Sequence, residues 1–326
     1  AAQTNAFVYG WASNAVFAVS IWLLARLGQA EVRGRFYLIV AGAVWNLAIT
    51  LGLGGILAGH MTSSDLMEMP VVVWPALLVS YFVIAAMIFV LHRSRVNRET
   101  YVTQWFVLAS FLWFPALFLV AWQGLELNPG RGTVQSVVSM WYSQNVIWLW
   151  ITPIALGSAY YLIPKILGRP IEKYYLAIFG FWCIAFLAPW SGLHHLEGGP
   201  FPMWIPAIGT VMSIAMVFPI AVASTNFHAT AFKDIGKVWN NLPLRFVIFG
   251  TISYTISSYI GIIFSLPAVA KITQFSIINE FHFNQRVYGF FSMIIFGVVY
   301  YMLPRITGNK TNEKAASFHF WTSAFG

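Results

Sequence analysis

Long apolar runs, broken by short polar connections, recur along the chain at 6–27, 36–57, 70–91, 104–123, 138–163, 174–192, 203–226, 243–266 and 282–303, with a tenth beginning near Phe318. A hydrocarbon core of ~30 Å takes about 20 helical residues to cross, so each run predicts a transmembrane helix. The runs are too long for barrel strands and lack alternation of every second residue. The pattern therefore predicts an all-α polytopic bundle of nine complete spans plus a partial tenth. Every connection is short and none is of low complexity, so residues 1–326 read as one membrane domain. The chain opens on Ala1 and stops at Gly326 inside an apolar run, which leads us to expect a longer protein with further N- and C-terminal helices.

Composition agrees. Charged residues are 9% of the chain, against roughly 25% in soluble domains, and mean hydropathy is +0.72. The single cysteine, Cys183, lies within a run, which excludes an internal disulfide framework and a cysteine-based metal cluster. Alternating the connections between two faces places 15 of the 18 Lys and Arg residues on one face. Only Arg131, Lys271 and Arg286 fall on the other. The basic face is expected to be cytoplasmic, in a bacterial-type inner membrane. The net charge of +8 then reports topology, and no nucleic-acid partner is implied.

One segment repeats. Gly157, Tyr160, Tyr161, Pro164, Lys165 and Gly168 recur at the same spacing as Gly297, Tyr300, Tyr301, Pro304, Arg305 and Gly308. Both copies place interfacial tyrosines before a proline and a glycine that stop a helix, and we read them as a repeated helical architecture.

The chemistry concentrates at the other end of the spans. Topology alone puts Gln144 near the start of span five, His194 and His195 at the end of span six, and His282 at the start of span nine, all at the outer face. Imidazoles in membrane segments are costly, and neutral imidazole is a common metal ligand. Ser191-Gly192 is expected to turn the backbone so that adjacent histidines reach one ion. Glu197 and Glu280 flank this place, either solvated or as proton or cation groups. Arg286 is positioned to pair with Glu280, with a haem propionate, or in an interhelical salt bridge. His60, His92, His228 and His319 read as ordinary interfacial histidines. The Trp141-Tyr142 and Trp148-Trp150 clusters read as an aromatic belt and bundle packing.

At these residues the chain resembles subunit I of the haem–copper oxidase superfamily, specifically the cbb3-type cytochrome c oxidases and, more distantly, the nitric oxide reductases. The resemblance rests on Thr4-Asn5-Ala6, on Trp141 to Asn145, and on Tyr160 to Lys165. It also rests on Arg169-Pro170, on Trp190 to Leu196, on Leu244-Arg245-Phe246 and on the second Tyr-Tyr repeat. It implies a low-spin haem held by two histidines, whose positions here read Gln3 and Asn284. The amides of these residues are poor iron donors. It implies that His282 is the axial ligand of a high-spin haem. It also maps the three copper histidines onto Gln144, His194 and His195, with copper or iron as the metal. The oxidase tyrosine that is cross-linked to a copper ligand corresponds to Ala188. The glutamate of the reductases corresponds to Trp148.

Two readings follow from the resemblance. In one, the chain is a degenerate, non-catalytic anchor or scaffold of a respiratory complex that includes other membrane subunits, a c-type cytochrome subunit among them. In the other, it is an active terminal oxidase or nitric oxide reductase with a modified centre at His282, His194 and His195. A channel or transporter role has no positive signal.

Overall fold

The computed structural model describes residues 1–274 and 276–325. Among the described residues the regular structure is all helical. Nine helical segments among the described residues are long and apolar enough to cross a membrane: α1 (Ala2–Gly28), α2 (Arg35–Leu57), α3 (Val71–Arg93), α4 (Val102–Leu127), α5 (Thr133–Leu167), α6 (Tyr175–Leu196), α7 (Trp204–Asn240), α8 (Leu242–Phe264) and α9 (Ile277–Thr307). The chain is an integral membrane protein of the polytopic helical type. A tenth helix, α10 (Glu313–Phe325), begins five residues before the expected start at Phe318. Its start is polar, and hydropathy marks only where apolar residues begin.

Chain contacts group into two compact units, Ala1–Pro153 and Ile154–Gly326. The first unit is built on aromatic packing. Tyr9, Trp45, Trp74, Tyr81 and Trp150 are almost fully buried. Trp150 stacks on Phe114 with centroids 4.0 Å apart, and Tyr9 meets Trp74 edge to face at 5.5 Å. Polar tips find partners within the same cluster. The Tyr9 hydroxyl donates to Leu66 O at 2.5 Å and lies 2.8 Å from the Tyr142 hydroxyl, while Trp45 Nε1 donates to Tyr9 O at 2.9 Å. Such rings bury large apolar area, and the Tyr9 and Trp45 tips keep their hydrogen bonds in a low-dielectric interior.

In the second unit, helices approach closely where glycine removes the side chain. A Cβ on Gly250 of α8 would lie 2.6 Å from Ile294 Cγ1 of α9, and one on Gly297 would lie 2.6 Å from Pro243 O. The repeated segments end alike. Gly168 and Gly308 both take the left-handed conformation, φ +72° and +74°. Their N–H groups donate to Pro164 O and Pro304 O at 2.9 and 3.0 Å. Both are helix caps that only glycine adopts without strain.

The connection from α5 to α6 is tied to α7. Asn226 Nδ2 donates to Glu172 O and Lys173 O, and Lys233 donates to the Glu172 carboxylate. That hydrogen bond, with the charge of Lys233, holds the Glu172 carboxyl below its ordinary range. A depressed carboxyl pKa contributes stability at neutral pH that is lost as pH falls through the depressed value. Both side chains are open to water, so the effect is small. In Lys233→Gln the Glu172 pKa is expected to return upward. Acid titration of thermal unfolding should then lack the small loss that the parent protein shows.

Candidate functional site

The structure gathers His194, His195, His282 and Arg286 in the second unit. At the end of α6 the backbone changes course at Ser191-Gly192 by tightening rather than by breaking. Gly192 stays helical, φ −67° and ψ −15°, and the chain tightens into a narrower turn over Gly192–Leu196. Tightening brings the two rings together, with centroids 4.1 Å apart and planes 36° off parallel. Gly209 of α7 makes this possible, because a Cβ there would lie 2.2 Å from the His194 backbone nitrogen.

His194 is oriented by its own helix. Its Nδ1 lies 2.5 Å from Ser191 O and 3.0 Å from Ser213 Oγ, and Ser213 donates to the same carbonyl at 2.8 Å. A carbonyl only accepts, so Nδ1 carries the proton and Nε2 keeps its lone pair. This is the tautomer in which a histidine ligates a metal through Nε2. The carbonyl of His195 accepts from Gln274 Nε2 at 3.1 Å.

His282 lies inside α9, which starts at Ile277, rather than at a helix start. Its Nε2 sits 2.9 Å from Ser257 O of α8, and a Cβ on Gly261 would lie 3.0 Å from Nε2 and 3.1 Å from Cε1. The far edge of the ring thus rests on the α8 backbone, and Nε2 donates to a carbonyl. Turning the ring over would leave the same edge against Gly261. Arg286, the next turn of α9, interacts electrostatically with His194, His195 and His282, and with Tyr254 of α8. Glu280 is exposed and Glu197 partly so.

The remaining family positions divide between the units. Gln144 is half-buried and Trp148 buried on the part of α5 that belongs to the first unit, and Gln3 is exposed at the start of α1. Asn284 is exposed on α9, and Ala188 is buried on α6. One shared feature had no signal in the sequence. The helix widens to a π-turn just after Gln3 (Ala6–Ala12), just after Gln144 (Val146–Ile151) and just after Asn284 (Gln285–Ser292). Such widenings recur at functional sites because they re-aim side chains without ending the helix. Of the histidines read as ordinary, His60 is exposed, His228 stacks on Phe232, and His319 Nδ1 lies 2.9 Å from the Tyr300 hydroxyl.

The groups present can be tested against the cofactors that the resemblance implies. An axial haem ligand directs Nε2 at iron, and the His282 Nε2 is turned into α8 instead, so the observed arrangement does not fit a haem on His282. Gln3 and Asn284, to which the resemblance assigns the low-spin haem ligands, carry amides, which are poor iron donors. Among the described residues no group of three or more His, Cys, Asp or Glu side chains is arranged to hold a metal ion. The guanidinium of Arg286 adds a fixed positive charge that raises the cost of a second cation beside the histidines. His194, with Nδ1 on a carbonyl and Nε2 keeping its lone pair, is set as a metal ligand would be.

Comparison with known proteins supplies the context. Residues 2–326 match the family described as Cytochrome C and Quinol oxidase polypeptide I. Cytochrome c oxidase subunit 1 of Rhodobacter capsulatus is 26% identical over 99% of this chain and 63% of its own length. A cytochrome c oxidase subunit 1 homolog of Agrobacterium tumefaciens (strain T37) is 25% identical over 99% of the chain and 62% of its own. The cbb3-type cytochrome c oxidase subunit CcoN1 of Stutzerimonas stutzeri is 25% identical over 99% and 70%. The chain thus spans less than two thirds of the length of the first two relatives.

Proposed function

This chain belongs to the cytochrome c and quinol oxidase polypeptide I family, and from that premise we propose that it is an atypical, oxidase-like membrane subunit of a respiratory complex that carries no low-spin haem and serves as an anchor or scaffold. The observation that carries the reading is the commitment of the His282 ring edge to Ser257 O and the α8 backbone at Gly261. Gln3, Asn284 and Ala188 support it, since each replaces a group the family's chemistry uses. Electrons then pass through cofactors of partner subunits, a c-type cytochrome subunit among them. The basic connections face the cytoplasm.

A second reading has one observation in its favour. The His194 tautomer leaves Nε2 with a lone pair, so a copper or iron ion held by His194 and His195 would retain a modified centre.

The experiment that separates the readings is a haem and metal inventory of the full protein purified with its partners. A pyridine haemochrome assay distinguishes b-type haem from the c-type haem of partners, and elemental analysis counts bound metal. The scaffold reading expects neither b-type haem nor stoichiometric copper or iron belonging to this chain. One haem with one metal per chain, both lost in His194→Ala and His282→Ala, overturns it in favour of the second reading.

A further inference from the structure

Midway along α2, on the least buried of the nine spans, two carboxamides meet in what the bundle otherwise leaves to lipid. Only 28% of the apolar stretch of α2 is buried, and Phe36, Ile39, Leu47 and Leu51 are exposed along it. Asn46 is at the midpoint of α2 and Asn14 near the midpoint of α1. Asn14 Nδ2 donates to Asn46 Oδ1 at 2.9 Å, and Asn46 Nδ2 donates back to Asn14 Oδ1 at 3.1 Å. The second N–H of each amide goes to its own helix, to Gly10 O at 2.6 Å and Gly42 O at 2.8 Å. Asn46 is nonetheless exposed, as is Thr50 one turn on.

All four N–H donors are used, and each carboxamide oxygen has accepted one of its two bonds. One acceptor site on each oxygen is therefore left open at mid-span, where no water is present to satisfy it. Against lipid this is a standing cost. A helix that brings a donor removes it. A second copy of this chain cannot, because the same patch on a copy offers acceptors and no spare donor. The occupant must differ in sequence. Gly10 and Gly42 beside the pair have nothing within 4 Å of where a Cβ would stand, so an incoming backbone can come close.

We propose that the Asn14–Asn46 pair and the open turn at Gly42 are the seat for a transmembrane helix of a partner polypeptide, one that brings a hydroxyl or amide donor to the two carboxamide oxygens. The seat deepens the reading of the chain as a subunit of a membrane complex, and rests on that reading only for the existence of a partner. A haem inventory does not bear on it, so the two can fail separately.

The test is photo-crosslinking in native membranes from a benzophenone side chain placed at Leu47 of the full protein. The expected product joins residue 47 to a membrane-spanning segment of a different polypeptide, located by mass spectrometry of the joined peptide. Its yield should fall about fivefold in Asn46→Leu and in Gly42→Leu, in keeping with the ~1 kcal/mol of an interhelical polar contact. Gly42→Leu adds bulk to open space, so its thermal unfolding should match the parent and separate lost docking from lost folding. Crosslinks confined to lipid, to a second copy, or to another part of the same polypeptide overturn the proposal. So does a yield that neither substitution changes.

Discussion

Gly209→Ala is expected to destabilise the protein by about 3 kcal/mol, the upper part of the range for overpacking, and to part the two adjacent histidines. The added methyl would lie 2.2 Å from His194 N, 2.5 Å from Leu193 C and 3.0 Å from His194 Cα. All three are backbone atoms, so no side-chain rotation relieves the clash. Either α7 retreats from the tightened turn Gly192–Leu196, or the turn moves and takes the Ser191 and Ser213 contacts of His194 with it. Thermal unfolding in detergent reads the first effect. Gly54→Ala, in open space on α2, is the control and should not destabilise. A Gly209→Ala protein that unfolds with the parent would mean that α7 does not pass so close to the paired histidines.

Asn226→Leu is expected to cost a similar ~3 kcal/mol by removing one buried and two part-buried hydrogen bonds at about 1 kcal/mol each. Asn226 is fully buried on α7. Its Oδ1 accepts from the Tyr160 hydroxyl at 2.8 Å, and its Nδ2 donates to Glu172 O and Lys173 O at 2.6 and 3.1 Å. Lys173 takes a left-handed conformation, φ +52°, which a non-glycine residue holds only where surrounding bonds fix it. Loss of the amide should therefore release the connection 168–174, read as faster proteolysis or hydrogen exchange there. Lys173→Gly in the same background should recover part of the stability, since glycine tolerates that backbone. Unchanged protection of the connection in Asn226→Leu would sink the account.

The site was legible only in part, and particular residues show why. His194 and His195 are adjacent in sequence, so their proximity needed only a helix end. That His282 shares their electrostatic surroundings followed from alternating the spans across the membrane. The direction of its ring did not. Whether Nε2 faces a cavity or the α8 backbone depends on how far α9 is rotated about its axis, and that rotation is set by Gly250, Gly261 and Gly297 admitting close contact. Arg286 was visible as a charge near the right depth, but its place among three imidazoles comes from the same rotation. Nothing in the pattern marked the π-turns after Gln3, Gln144 and Asn284, because a single extra residue per turn leaves hydropathy unchanged. The tightened turn at Gly192–Leu196 was hidden for a related reason: glycine permits a break without requiring one.

What the amino-acid sequence determined by itself is the crossing of the membrane. The free energy of moving a residue from water to hydrocarbon is local and additive, so nine apolar runs became nine helices with ends shifted by a few residues in most cases. The reading of Gln3, Asn284 and Ala188 as substituted positions likewise rests on residue identity alone. Tertiary structure alone decided which nitrogen of His282 is spent on a carbonyl, which tautomer His194 holds, and that Asn14 and Asn46 bond each other across α1 and α2. Those facts depend on helix rotation and close approach, which arise from packing between segments distant in the chain and leave no period in any one of them.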